Sequence, residues 1–272
     1  DLHSFPTRRS SDLLVGGTMC SLMAIPNEGY VFGNWTNNGQ MISPNAEYTF
    51  LVAGDMNLVA NFASENPIAF ADENVKAICV ANWDTNGDSE LSYAEAAAVT
   101  NLGEAFQNHW EITSFNELQY FVNLTSLRGY EFSYCGNLTS VVIPKNVTNI
   151  HYYTFHYCQN LEQIVVDEGN MVYDSRENCN AIIETASNSM VVGSKNTVIP
   201  NDVTSIGAGA FSGRNITAVS IPTSVTTIGY SAFGECRNLT SIIIPNSVTY
   251  METYAFQYCR LADRKSGSAG MP

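Results

Sequence analysis

Basic residues are scarce in this sequence: 12 Lys and Arg stand against 26 Asp and Glu over 272 residues, a formal net charge of -14. A surface that binds DNA or RNA must neutralise phosphates with Lys and Arg, so this balance argues against a nucleic-acid partner. No apolar run approaches the roughly 20 residues of a transmembrane helix. Charged residues make up only 14% of the chain, whereas Asn, Ser, Thr and Tyr are common. This composition is typical of a β-rich extracellular protein.

The two ends of the chain differ from everything between them. The opening DLHSFPTRRSSDL joins Arg8 and Arg9 to serines and lacks the apolar run of a signal peptide. Read back into codons, it resembles a translated sequencing adapter, as does the closing DRKSGSAGMP. We therefore interpret residues 1–13 and 263–272 as artefacts and 14–262 as an open fragment of a longer protein. Without the two ends, 8 basic and 23 acidic residues remain, a net charge of -15.

An internal repeat organises the second half of the chain. Three segments align: LTSVVIPKNVTNIHYYTFHYCQN from Leu138, ITAVSIPTSVTTIGYSAFGECRN from Ile216 and LTSIIIPNSVTYMETYAFQYCR from Leu239. A shortened copy precedes them at 124–137, and a half copy, with Arg214 in the cysteine position, covers 197–215. Between lies a longer irregular unit whose residues 181–193 read as a β-hairpin around Ser-Asn-Ser. A fixed period of this kind predicts stacked structural units that share one core.

Each repeated position has a physical reading. The run L-T-S-V-V-I alternates and is rich in β-branched residues, so it predicts a short strand that the following proline ends. The run V-T-x-I predicts a second short strand, and x-A-F-x-x-C predicts a helical turn whose phenylalanine caps the core. The recurring asparagines should bond the backbone of successive turns, at Asn137, Asn160, Asn215 and Asn238.

The repeats resemble the BspA-like leucine-rich repeats of bacterial surface proteins, from roughly residue 112 to the closing segment. The resemblance implies a secreted or surface-anchored protein that acts in adhesion and protein binding, without catalysis. The predicted fold class is a β-rich α+β chain. Its main part is a leucine-rich-repeat solenoid of short parallel strands with helical turns over 108–262. A helix–calcium loop–helix cap over 72–107 and a small antiparallel β-module precede the solenoid.

The stretch DTNGDSELSYAE, residues 84–95, resembles the calcium loop of EF-hand and dockerin proteins. A hard cation needs about six to eight oxygen ligands, and the loop offers them at fixed offsets. The resemblance assigns the side chains of positions 1, 3, 5, 9 and 12 and the backbone carbonyl of position 7: Asp84, Asn86, Asp88, Ser92, Glu95 and Glu90. Water can relay the contact of Ser92. We expect a structural Ca²⁺ that clamps the N-terminal end of the solenoid.

Two features qualify this expectation. Ser89 stands at position 6, where the family has the glycine of a sharp turn, and Gly87 comes two residues earlier. The alternative is an acidic helix-capping loop that binds no metal. A dockerin-like plug for a partner module is a weaker hypothesis, because a dockerin normally has two such loops and the sequence shows one.

The N-terminal piece, residues 14–62, has short alternating runs broken by turn sequences, which predicts a small antiparallel β-module. Its A-x-P-N-E-G-Y-x-F-x-N-W and closing L-V-A-N-F resemble the divergent InlB-B-type bacterial repeat. That family implies a surface spacer or adhesion module. Residues 63–71 form a linker to the cap.

The cysteines are expected to be structural. Four of the seven occupy one repeat position, Cys135, Cys158, Cys236 and Cys259, which predicts buried free thiols, although a disulfide between adjacent coils is geometrically possible. A thiol–imidazole pair can form a nucleophile, and His156 lies two residues from Cys158. The equivalent cysteines in later repeats have no histidine nearby, and there is no C-x-x-C and no glycine-rich phosphate loop. We therefore predict that the chain is not an enzyme.

Two positions of the predicted turn are rich in tyrosine: Tyr130, Tyr153 and Tyr254 in one, Tyr134, Tyr157 and Tyr258 in the other. Gly, Ser and Glu replace tyrosine in other repeats, so the core does not require an aromatic ring there. Stacked tyrosines provide rigid contact area of the kind found in binding surfaces; the alternative is that they only cover the turn. The sequence thus predicts a cell-surface or extracellular solenoid that binds a host or bacterial surface protein or glycan. The alternative hypothesis is an ancillary binding region of a larger secreted enzyme.

Overall fold

The computed structural model describes residues 17–261, so both adapter-like segments lie outside the described residues. The chain begins with the antiparallel β-module that the sequence predicts. Its first and fourth strands pair with each other, and its second strand lies between the third and fifth. The strands are β1 (Met19–Met23), β2 (Tyr30–Asn37), β3 (Gln40–Ser43), β4 (Glu47–Leu51) and β5 (Leu58–Ser64).

Aromatic rings form the small core of this module. Trp35 is buried, lies 5.9 Å from the ring of Phe32, and donates its Nε1 hydrogen to the carbonyl of Ala46 at 3.1 Å. The module also touches the rest of the chain. Asn34 donates its side-chain amide to Asn123 at 3.0 Å, and Asn123 donates its own to the carbonyl of Ala97 at 2.7 Å.

Two short helices follow, α1 (Glu73–Trp83) and α2 (Tyr93–Ala98). Buried Asp72 begins α1: one carboxylate oxygen accepts from the backbone of Asn74 at 2.8 Å, and the other accepts from the hydroxyl of Thr113 at 2.7 Å. This carboxylate satisfies free N–H groups at the helix start and also ties α1 to the first coil. Ser92 begins α2 with a capping box, in which its hydroxyl and the Glu95 carboxylate each accept from the other residue's backbone N–H.

The solenoid consists of short, mostly parallel strands and two 3₁₀ helices, Asn116–Tyr120 and Arg176–Asn178. The strands are β6 (Ser114–Phe115), β7 (Ser126–Leu127), β8 (Ser140–Ile143), β9 (Asn149–Ile150), β10 (Gln163–Val166), β11 (Tyr173–Asp174), β12 (Ala181–Glu184), β13 (Ser189–Gly193), β14 (Ser205–Ile206), β15 (Thr227–Ile228) and β16 (Tyr250–Met251). Strand β8 lies between β6 and β10, β7 pairs with β9, and β13 to β16 pair in sequence order. The predicted hairpin is confirmed as antiparallel β12 and β13, with β11 beside it.

The predicted helical turn appears as successive turns closed by hydrogen bonds from residue i+3 to residue i. Ser133 bonds Tyr130, and Cys135 bonds Phe132. Tyr134, between these donors, has a φ of 64°. A left-handed residue cannot continue a right-handed helix, so each turn stays short. Its free N–H groups reach the next coil instead, as when Tyr134 donates to the carbonyl of His156 at 2.8 Å.

The core lies between the strands and these turns. The phenylalanines of successive turns stack with their rings nearly parallel: Phe132 and Phe155 lie 5.2 Å apart, and Phe211 and Phe233 lie 5.0 Å apart. These four rings are fully buried, which confirms the predicted role of the position. Between the two stacks, Gly193 leaves space for Phe211, because a Cβ on this glycine would lie 2.4 Å from that ring.

The predicted asparagine ladder forms in the middle of the solenoid, but only Asn160 bonds a backbone carbonyl as predicted; Asn215 and Asn238 bond the side chain of the preceding asparagine instead. Asn160 donates its side-chain amide to the carbonyl of Gly136 at 2.8 Å, Asn215 donates to Asn160 at 3.3 Å, and Asn238 donates to Asn215 at 3.3 Å. These amides are half-buried or exposed rather than enclosed in the core. Asn160 and Asn215 are 55 residues apart, so the irregular unit between them leaves the stacking of these turns intact.

Candidate functional site

The acidic loop after α1 is held together by hydrogen bonds from its own backbone. Asp84, which ends the helix, accepts from the N–H of Gly87 at 2.7 Å and from the N–H of Ser89 at 3.0 Å. Asn86 accepts from the N–H of Asp88 at 2.8 Å. The side chains of two residues in the calcium assignment, Asp84 and Asn86, are therefore already oriented by the loop backbone.

Glu95, the last residue of the assigned ligand set, closes the loop from α2. One carboxylate oxygen accepts from the N–H of Thr85 at 2.7 Å, and the other accepts from the N–H of Ser92 at 2.9 Å. Burial by itself raises the pKa of Glu95, but these hydrogen bonds outweigh it and hold the pKa at about 2. The side chain is thus an anion throughout the neutral pH range, as a metal ligand must be.

A second segment supports the loop from outside. Leu91 is fully buried, and its carbonyl accepts from the N–H of Ile68 at 2.8 Å, while Pro67 and Ser92 form an antiparallel bridge. Residues 66–68, which the sequence analysis placed in a linker, therefore pair with the middle of the loop. The extended backbone of residues 66–68 thus lies beside the acidic loop and holds it in position.

Ser89 and Glu90 lie in the loop between Asp88 and the buried Leu91. Ser89 has a φ of 66°, a left-handed conformation that glycine adopts without strain. The side chain of Glu90 pairs with Lys76 at 2.7 Å, which leaves its assigned ligand, the backbone carbonyl, unaffected. Over residues 17–261 no three His, Cys, Asp or Glu side chains are gathered as a metal centre. The all-oxygen set suits a hard cation, and calcium binding stays a prediction.

The cysteine position forms a regular set of sulfur contacts. Each thiol lies near the carbonyl of the phenylalanine one coil earlier: Cys135 at 3.0 Å from Phe106, and Cys158 at 3.0 Å from Phe132. Cys236 and Cys259 make the same contact with the carbonyls of Phe211 and Phe233. All seven cysteines are free, and Cys259 is the one member of this position that is only half-buried.

The thiol of Cys158 is unsuited to nucleophilic attack. It is fully buried, and burial raises its pKa to about 11. Burial also lowers the pKa of His156, as does the nearby charge of Arg214. Because the thiolate is the reactive form of cysteine, Cys158 and His156 do not form an activated nucleophile.

The tyrosines of the first two full turns form two stacks. The first tyrosine stack is Tyr130 on Tyr153, with ring centroids 5.2 Å apart and an interplanar angle of 13°. The second tyrosine stack is Tyr134 on Tyr157, at 4.8 Å and 12°. The upstream ring of each stack is about half exposed, 44% for Tyr130 and 48% for Tyr134.

The remaining predicted surface tyrosines lie apart from these stacks. Tyr254 and Tyr258 are exposed in the last described coil. In the intervening coils the same positions hold other residues, and Gly213 lies directly against Tyr157, where a Cβ would be 3.0 Å from the tyrosine Cα. The six tyrosines therefore form two separate groups rather than one continuous row.

Three aromatic residues that the sequence analysis did not assign join the stacks. The ring of Tyr152 lies 4.2 Å from that of Tyr153, the ring of His151 lies 4.4 Å from that of Tyr152, and the ring of His156 lies 4.5 Å from that of Tyr157. The signal was present in the sequence as HYYTFHYC, a run with five aromatic or imidazole rings besides the core phenylalanine.

The backbone of the second tyrosine stack is strained. Tyr134 and Tyr157 have φ values of 64° and 57°. A left-handed conformation costs a residue other than glycine about 1–2 kcal/mol. Gly213 shows that the same position accepts glycine, so the tyrosines are present despite a conformational penalty. Strain of this kind is often found at functional surfaces.

Stacked coils with short parallel strands and repeated core positions define the class of leucine-rich-repeat solenoids. Residues 99–189 and 183–266 match the BspA type leucine rich repeat region, in 6 copies. Because these matches cover more than half of the chain, it belongs to this family. Residues 7–66 match the divergent InlB B-repeat domain. The resemblances to BspA-like repeats and to the divergent InlB-B-type repeat are thus confirmed.

Solved structures include three relatives. A leucine-rich repeat protein from Eubacterium ventriosum is 28% identical, with 47% of this chain and 36% of that chain covered and a TM-score of 0.41. The pneumococcal vaccine antigen PcpA is 17% identical, with coverages of 52% and 42% and a TM-score of 0.42. A leucine rich cell surface protein from Faecalibacterium prausnitzii is 22% identical, with coverages of 58% and 60% and a TM-score of 0.38. The chain spans less than two thirds of each. A search of curated proteins gave no match.

Proposed function

We propose that this chain is a non-catalytic protein-binding part of a bacterial cell-surface or secreted adhesion protein, and that the two tyrosine stacks contribute to its binding surface. The observation that supports this proposal is the exposure of Tyr130 and Tyr134. Both are about half exposed, and each stacks on another tyrosine at a position where the core does not require an aromatic ring. Tyrosine loses little conformational entropy when it binds and offers both apolar area and a hydroxyl group. Membership of a repeat family of bacterial surface type supports the location. In residues 17–261 no helix is suited to crossing a membrane.

A binding panel tests this function. Purified extracellular proteins of bacteria and hosts, together with a glycan array, are probed with the chain and with the double variant Tyr130→Ser/Tyr134→Ser. We expect at least one protein to bind and the double variant to lose most of the affinity. Tyr250→Ser is the control, because Tyr250 is 59% exposed but lies on β16, away from the turns. Binding of glycans alone, or equal losses in both variants, would contradict the proposal.

We further propose that the loop at residues 84–95 holds a structural Ca²⁺. Asp84, Asn86, Asp88 and Glu95 would supply side-chain oxygens, Glu90 its carbonyl, and Ser92 a contact that water can relay. The support is the oriented set of oxygen atoms and the buried anchor at Leu91. A cation bound only by the folded loop would stabilise the cap by mass action.

Calorimetry with CaCl₂ and with a chelator tests the metal. Asp88→Asn removes a carboxylate ligand, whereas Glu90→Gln removes the same charge from a side chain that pairs with Lys76. We expect Ca²⁺ to bind and raise the melting temperature, Asp88→Asn to abolish both effects, and Glu90→Gln to preserve them. Absence of heat and of any change in melting for the unaltered chain would remove the metal site.

A further inference from the structure

Tyr130 and Tyr134 lie at the upstream ends of the two tyrosine stacks. Among the described residues, each has aromatic neighbours on its downstream side alone. Within residues 17–261, every ring contact of Tyr130 and Tyr134 is with the coil that contains Tyr153 and Tyr157. Tyr130 and Tyr134 are also 44% and 48% exposed, so part of each residue is open to solvent. An exposed ring face carries the negative part of the aromatic quadrupole.

The coil upstream of these faces brings a carboxylate to the same place. Phe106 stacks on Phe132 at 5.5 Å, and Asn108 donates its N–H to the carbonyl of Ser133 at 2.9 Å. This register aligns the position of Glu104 with that of Tyr130, and the position of Asn108 with that of Tyr134, in successive coils. Asn108, with a φ of 65°, has the same left-handed backbone as Tyr134, which supports the alignment.

Glu104 is exposed and forms no ion pair with any described residue. Residues 17–107 contain eleven acidic residues and a single basic one, Lys76, and that lysine pairs with Glu90. Arg128, two residues before Tyr130, bonds the hydroxyl of Ser126 at 3.0 Å. Residues 17–107, which include Glu104, therefore carry a strong negative net charge, and such a charge attracts cations over about one Debye length.

We propose that the upstream ends of the tyrosine stacks bind arginine side chains of a basic segment in the partner protein. One guanidinium lies on the free face of Tyr130 and pairs with Glu104, and a second stacks on Tyr134 beside Asn108. Arginine suits this site better than lysine, because its planar group stacks on a ring while its N–H groups reach a carboxylate. The inference rests on the proposed protein-binding function and specifies the chemistry of the partner.

The test uses an acetylated peptide of alternating glycine and arginine, and the same peptide with citrulline in place of arginine. Citrulline keeps the shape and removes the charge. We expect the arginine peptide to bind at least tenfold more tightly, and the difference to shrink as salt is raised from 0.05 to 0.5 M. Tyr130→Leu and Glu104→Gln should each weaken binding about tenfold.

Two matched controls separate the site from general attraction to an acidic protein. Glu168→Gln makes the same change of charge at an exposed glutamate elsewhere in the solenoid, and Tyr250→Leu removes an exposed tyrosine outside the turns. Both should leave the peptide affinity within twofold. Circular dichroism establishes that each variant is folded before its affinity is compared.

Equal binding of the two peptides, or equal losses for Glu104→Gln and Glu168→Gln, overturns the arginine site. Loss of a protein partner in Tyr130→Ser/Tyr134→Ser without any arginine-peptide binding would refute this inference and keep the proposed function. Absence of any protein partner would refute the proposed function itself.

Discussion

Arg214 donates a hydrogen bond from Nη1 to the backbone carbonyl of Phe155 at 2.6 Å. In the other coils this phenylalanine carbonyl receives the thiol of a cysteine, as Phe132 receives Cys158 at 3.0 Å. Arginine thus takes over the contact of the smaller thiol at the coil that follows the irregular unit. It is only 2% exposed and also donates to the carbonyl of Gly193 at 3.0 Å. Burial lowers its pKa.

Arg214→Ala should destabilise the protein strongly. The substitution leaves the carbonyls of Phe155, Gly193 and Ser212 without this donor and opens a cavity beside Cys158. Buried acceptors without partners cost about 1–3 kcal/mol each, so we expect the free energy of unfolding in urea to fall by about 3 kcal/mol or more. Arg237→Ala is the matched control, because that side chain is exposed and an exposed ion pair contributes little to stability. Similar losses for the two variants would contradict the bridging role of Arg214.

Ser89→Gly should stabilise the acidic loop. The residue has a φ of 66°, which glycine adopts without the penalty of a side chain. We expect the free energy of unfolding to rise by up to about 1 kcal/mol and any Ca²⁺ affinity to rise about fivefold. Gly87→Ala is the inverse control, because Gly87 has a φ of 76° and no atom near its missing Cβ. It should weaken both quantities, and a gain in that variant would show that backbone strain does not govern the loop.

Stability should fall between pH 4.5 and 2 as Glu95 takes up a proton. Its pKa is about 2 in the folded protein against an ordinary value of 4.5. A depressed carboxyl pKa contributes stability that is complete above the unfolded value and disappears as the pH falls through the folded value. Glu95→Gln should therefore flatten the pH dependence of the unfolding free energy in this window, as measured by urea titrations. Glu168→Gln supplies the same change of charge on an exposed side chain; an identical flattening there would refute the role of Glu95.

Thiol labelling at pH 8 should divide the cysteines into two groups. Cys20 and Cys259 are half-buried, and the hydrogen bond with Cys236 lowers the pKa of Cys259, so both should react with iodoacetamide in the native protein. Burial raises the pKa of Cys158 to about 11 and also raises that of Cys135. These two thiols should react only after unfolding, as followed by mass spectrometry of peptides. Rapid native labelling of Cys135 would mean that the turns open more easily than the stacked structure implies.

The repeat positions were predictable because a fixed period determines which residues share a face when coils stack. The phenylalanine and cysteine positions, the hairpin at 181–193 and the asparagine ladder all follow from that rule. The conformation of the first half of the acidic loop was predictable, because Asp84, Asn86 and Asp88 each accept from a backbone N–H two to five residues further along the chain. The contact of residues 66–68 with the acidic loop was not predictable, because nothing in the composition of the linker indicates that it pairs with Leu91.

The family, the solenoid and the acidic character of this protein follow from periodicity and composition, so they can be read from the amino-acid sequence. The side chains that meet across the irregular unit are known only from the folded structure. It places Gly213 against Tyr157 and Arg214 against Phe155, pairs separated by more than fifty residues. Among residues 17–261 it also leaves Glu104 without an ion pair. Such contacts depend on how coils of unequal length are stacked, and that arrangement is fixed by packing of the whole core rather than by any local sequence pattern.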